Sequence, residues 1–83
     1  MNTEVRKWSK ATNYPYGAYV LYTESKELKD IAKRWNDLSG TQSYFNGKKV
    51  MGWDLIFPRP ENKKLDMSLK RRLLGCCEEN HEQ

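Results

Sequence analysis

Between residues 25 and 38 the apolar side chains Leu28, Ile31, Ala32, Trp35 and Leu38 recur at the spacing that puts them along one side of a helix. That stripe is bracketed by segments of a different period. Tyr16 to Thr23 reads Tyr-Gly-Ala-Tyr-Val-Leu-Tyr-Thr, rich in aromatic and β-branched residues and preceded by the turn-forming Asn13-Tyr14-Pro15. With Ala18, Val20 and Tyr22 on one face and Tyr19, Leu21 and Thr23 on the other, it is apolar on both and predicts a central strand. Thr23 or Ser25 suits the cap of the helix. Glu24 and Glu27 lie at the positive end of its dipole, Lys33 and Arg34 at the other, and Gly40 suits a left-handed stop.

The remainder follows the same logic. Thr41 to Phe45 and Lys48 to Pro58 flank Asn46-Gly47, the dipeptide that favours a type I′ hairpin turn. On the second of these strands Met51, Trp53, Leu55 and Phe57 share a face and are expected in the core. Pro58 to Lys64 reads as a polar loop. Leu65, Leu69 and Leu73 then mark a shorter helix over 65–74, stopped by Gly75. Val5 and Trp8 fit either an added edge strand or an arm. The expected fold class is therefore α+β, a small antiparallel or mixed sheet of three strands, or four with the added edge, packed by two helices in the order β-α-β-β-α. Residues 1–75 are expected to form one basic domain and 76–83 an acidic tail. Ala18, Val20, Leu28, Ile31, Trp35, Met51, Trp53, Leu55, Leu69 and Leu73 are the expected core.

A chain of 83 residues supports one modest core. Its three Trp, five Tyr and two Phe argue for folding despite the 31% of charged residues. No apolar run approaches the length that spans a bilayer, and Met1 to Lys10 lacks the apolar region of a secretory signal, so no membrane association is expected. The cytoplasm is the expected location, which the adjacent Cys76 and Cys77, unable to bridge each other without severe distortion, also fit.

Chemistry is sparse. Cys76, Cys77, Glu78, Glu79 and His81 crowd together, but the thiols are adjacent and no second ligand pair exists, so a structural metal site is not expected. The single histidine, His81, leaves no partner for a serine or cysteine triad. Glutamates beside the thiols raise rather than lower their pKa. Asp54, inside an apolar strand, would need a converging second acid such as Glu24, Asp30 or Asp37 to do hydrolytic work. The five glycines are isolated and form no phosphate-cradling loop. No catalytic residue and no cofactor is expected.

Charge is what remains. The chain carries +4 overall, yet all fifteen Lys and Arg lie within residues 1–75 against eight carboxylates, +7 for that span, while Glu78, Glu79 and Glu82 follow it. Beside Arg6, Lys7 and Lys10, the cations cluster as Lys48 and Lys49 at the hairpin, Arg59, Lys63 and Lys64 in the loop, and Lys70, Arg71 and Arg72 on the last helix. With Tyr44 and neighbouring aromatics these are the components of a nucleic-acid surface, in which cations neutralise phosphates and rings stack on bases. The expected function is a small non-enzymatic nucleic-acid-binding domain. The alternative is a protein-interaction module, an inhibitor or adaptor encoded by a phage or other mobile element, that engages an acidic host protein surface.

Overall fold

The structure, a computed structural model, describes the backbone of residues 2–81 and the side chains of residues 2–77. Strands β1 (Thr3–Trp8) and β2 (Ala18–Thr23) precede helix α1 (Lys26–Ala32), then come β3 (Gly40–Asn46), β4 (Lys49–Pro58) and helix α2 (Lys63–His81). The four strands form one antiparallel sheet in the order β1-β2-β4-β3. The α+β class and both helices were legible in the sequence. The order is β-β-α-β-β-α, because Val5 and Trp8 belong to an edge strand rather than an arm, and Val5 lies opposite Leu21 and Trp8 opposite Ala18.

The core lies on one side of the sheet. Tyr19 and Leu21 on β2 stand opposite Phe57 and Leu55 on β4, and Ala32, Leu69 and Leu73 from the two helices close over them. Full burial of so many apolar side chains, each worth about 1.5–3 kcal/mol relative to exposure, is what holds the helices down. Val5, Trp35, Leu38, Cys76 and Cys77 pack around this cluster. Of the expected core, Ala18, Val20, Leu55, Leu69 and Leu73 are buried and Leu28, Trp35 and Trp53 are half-buried. Ala18 and Val20, however, point to the face opposite the helices, where β1 and β4 flank them in register.

Several expected boundaries move, each for a local reason. Helix α1 ends at Ala32 rather than Leu38. After Lys33, whose amide still bonds to the Lys29 carbonyl, the amides of Arg34 and Trp35 bond to carbonyls three residues back, a tighter winding that brings Trp35 against Phe57 with ring centroids 5.7 Å apart. Ile31 is left 53% exposed. Ser25 is the cap, its hydroxyl accepting from the Leu28 amide at 3.2 Å, and the Thr23 hydroxyl accepts from the Ser25 amide. Gly40 is not a left-handed cap, since it opens β3 and only Gly17 and Gly47 have positive φ among the described residues. The hairpin loop is Gly47-Lys48, with Asn46 paired to Lys49. Positive φ at its first position alone is the type II′ pattern, not the expected I′.

Met51 is exposed, and a β-bulge makes Val50 and Met51 oppose Phe45. It also sits beyond the last β2 partner, Thr23 opposite Trp53. The second helix begins two residues before Leu65, so Lys63 and Lys64 lie in its first turn, where the Asn62 side chain accepts from the amides of Lys64 and Leu65. Gly75 does not end it. The helix continues to His81, and Cys76 and Cys77 pack against the core instead of trailing in a tail. The side chains of Glu78, Glu79, His81 and Glu82 lie outside the described residues.

Two substitutions test this packing. Phe57→Ala should cost about 3–5 kcal/mol in urea unfolding, the range for a truncated aromatic at a site that cannot collapse. Gly17→Ala should destabilise as well. Its φ is +86°, and an added Cβ would meet the Trp8 carbonyl oxygen at 2.5 Å. A melt unchanged from wild type in either variant would contradict the packing.

Candidate nucleic-acid interface

The sheet's uncovered face holds a polar network beside an open, shallow depression of about 310 Å³ lined by Glu4, Arg6, Tyr22 and Tyr44. Asp54, 2% exposed, points there from the centre of β4. One of its oxygens accepts from Arg6 on β1 at 2.5 Å, and the other accepts from the Tyr44 hydroxyl on β3. Arg6 also reaches Glu4 at 3.7 Å and lies over the Tyr22 ring. Tyr22 and Tyr44 meet edge to face, and Tyr22 occupies the space that a side chain at position 52 would fill. Sequence alone left Asp54 as a possible acid. In the fold both its oxygens are committed, and they tie the two edge strands to β4. Among the described residues no three His, Cys, Asp or Glu side chains gather as a metal site.

The candidate cations separate into three groups. Arg59 and Arg72 are engaged within the molecule. Arg59 forms a two-pronged pair with Asp66 at 2.7 and 2.8 Å and lies over Tyr19, while Arg72 pairs with Asp37 and lies 4.6 Å from the Trp35 ring centre. The hydrogen bond from Arg59 holds the Asp66 carboxyl below the usual carboxylate range, and its acceptor raises the Arg59 guanidinium. Burial, with the Asp66 carboxylate beside it, pushes the Tyr19 phenol up.

Lys48 and Lys49 form the second group, at the tip of a two-stranded ribbon. Beyond the pair Thr23–Trp53 no third strand accompanies β3 and β4, so residues 44–52 project from the sheet. Phe45, 64% exposed, Val50 and Met51 lie near the lysines, and Tyr44 stands at the ribbon's base. From Lys49 to Pro58 at the other end of β4, nine residues at ~3.3 Å each cover about 30 Å, in a molecule 38 Å in its longest dimension. The ribbon tip therefore does not merge with the remaining cations.

Those form the third group, on α2. The core-facing positions Leu69 and Leu73 fix the helix's rotation, and the opposite side then carries Lys63, Lys64, Met67, Lys70, Arg71 and Leu74. All six are exposed, and none of the four cations has an ion-pair partner among the described residues. Met67 and Leu74, 61% and 41% exposed, run down the middle of this side, and with Lys70, Arg71 and Gly75 they line a shallow depression of about 410 Å³. The apolar centre was missed in the sequence because attention to the Leu65-Leu69-Leu73 series hides Met67 and Leu74, which lie about half a turn away.

No helix among the described residues is long and apolar enough to cross a membrane. The chain matches no protein-family model, no characterised protein and no solved structure.

The Arg59–Asp66 pair yields a pH prediction. A carboxyl lowered in the folded state contributes stability that is present above its unfolded value, near 4, and is lost as pH falls through the lower folded value. Asp66→Asn should cost about 1–3 kcal/mol at pH 7. That difference from wild type should shrink in chemical denaturation below about pH 4. A constant gap across the acid range would show that the carboxylate's charge is not what stabilises.

Proposed function

We propose that the chain is a small, non-enzymatic nucleic-acid-binding domain whose principal contact is the outer side of α2. The observation that supports it best is the row Lys63, Lys64, Lys70 and Arg71, four cations on one exposed helix face with no carboxylate paired to them among the described residues. The six to seven residues separating the two pairs correspond to about 10 Å of helix rise, a distance that lets both pairs reach phosphates of one backbone stretch. Lys48, Lys49, Tyr44 and Phe45 on the ribbon are a second, separate contact, of the kind in which a strand pair approaches a groove or an unpaired base stacks on a ring. Arg59 and Arg72, although among the expected contacts, serve the fold first.

A second reading is an inhibitor or adaptor that binds an acidic protein surface. Met67 and Leu74 favour it, because an apolar centre with a cationic rim has the layout of a protein interface.

Binding to duplex DNA, single strands and RNA measured against salt separates the two. Four neutralised phosphates correspond to about a 150-fold loss of affinity between 50 and 200 mM salt on duplex. Lys70→Gln and Arg71→Gln should each lower the slope by about one, with the thermal melt unchanged. Met67→Ser and Leu74→Ser should leave nucleic-acid affinity within a few-fold but abolish capture of an acidic protein. Absence of binding to any nucleic acid at low salt rejects the first reading.

A further inference from the structure

The two edges of the sheet are treated differently. β1 carries Glu4, Arg6 and Lys7 and has α2 packed against it. Charged side chains and a covering helix are the usual means of keeping an edge from pairing with another chain. β3 has neither protection. Gly40–Asn46, Gly-Thr-Gln-Ser-Tyr-Phe-Asn, contains no charged residue and no proline, and from Thr41 onward every residue is exposed. The neighbouring bulge places its extra residue, Met51, on β4, so β3 itself is regular along its outer side.

We propose that β3 pairs with β3 of a second copy of this chain, antiparallel about a two-fold axis at Ser43. Two features single out a second copy as the occupant. The segment is neutral in a body that is otherwise strongly basic, so two copies meeting along β3 bring no like charges into opposition where approach by the cationic surfaces would. The segment is also self-complementary. Its first half holds no aromatic residue (Gly40, Thr41, Gln42, Ser43) and its second half holds both aromatics. Antiparallel pairing about Ser43 sets Tyr44 beside Gln42 of the partner subunit and Phe45 beside Thr41 of the partner subunit, an aromatic ring against a non-aromatic side chain on both faces. An interface between identical copies requires this reciprocity. It also gives Phe45 the cover that its own fold withholds.

The pairing joins two sheets into one, with both helix layers on the same side. The two β1 strands are then about seven interstrand spacings of ~4.8 Å apart, roughly 34 Å, close to one turn of B-form duplex. Since α2 packs on β1, the two cationic faces repeat at about that interval. This last consequence rests on the nucleic-acid reading; the dimer does not.

Sedimentation of the full chain over a concentration series reaching millimolar, without nucleic acid, tests the dimer alone. The expected result is a mass that doubles with concentration. Ser43→Lys sets two cations across the axis and should weaken the dimer at least about tenfold. Ser43→Cys should cross-link under mild oxidation, because directly opposed residues have Cα atoms about 4.5–5.5 Å apart, within disulfide range. Gln42→Cys, opposite the partner's Tyr44, should cross-link no more than wild type. A mass that stays monomeric to millimolar, or a dimer indifferent to Ser43→Lys and cross-linked equally by both cysteines, overturns the proposal.

Discussion

Everything in this domain is arranged around the burial of one apolar layer where β2 and β4 lie side by side. Tyr19 and Leu21 face Phe57 and Leu55, and both helices are held to that side by Ala32, Leu69 and Leu73. A chain this short has material for a single core, so covering one face of the sheet leaves the other without helices. The uncovered face is stabilised differently, by the Asp54 carboxylate tied to Arg6 and Tyr44 across three strands. A buried carboxylate is tolerated only when hydrogen-bonded and paired, which gives this residue a structural use for an acid that stood out in the sequence.

The same division of labour governs the charge. Arg6, Arg59 and Arg72 each satisfy an aspartate and lie over an aromatic ring, work suited to a planar guanidinium. Lysines, with more strongly hydrated heads, supply most of the outward charge at the ribbon tip and on α2. Lys29, over the Trp53 ring and beside Asp30, is an exception. The basic excess is therefore concentrated where the fold does not use it, with Met67 and Leu74 between the cations of α2.

Geometry separates surfaces that composition had joined. Lys48 and Lys49 stand at one end of β4 and Arg59, Lys63 and Lys64 at the other. The hairpin that carries the first pair projects past the sheet, and its outer strand is the one unguarded edge. The ribbon and α2 are thus distinct places for contact, separated by most of the molecule's length.

The sequence by itself determined the alternation of strand and helix, the hairpin, a helix cap at Thr23 or Ser25 and the basic character of the first 75 residues, because these follow from local periodicity, turn chemistry and counting. Tertiary structure alone decided the rest. Val5 and Trp8 became a strand only through pairing with β2. Gly75 stays inside α2, where Cys76 and Cys77 on the following turn find the core. Met51 lies outside the core because β2 ends opposite Trp53, and Tyr19 and Leu21, rather than Ala18 and Val20, faced the helices. β2 is apolar on both sides, so its own pattern cannot say which face a helix will cover. Likewise, which cations remain available to a partner depends on which aspartates come within reach across the fold.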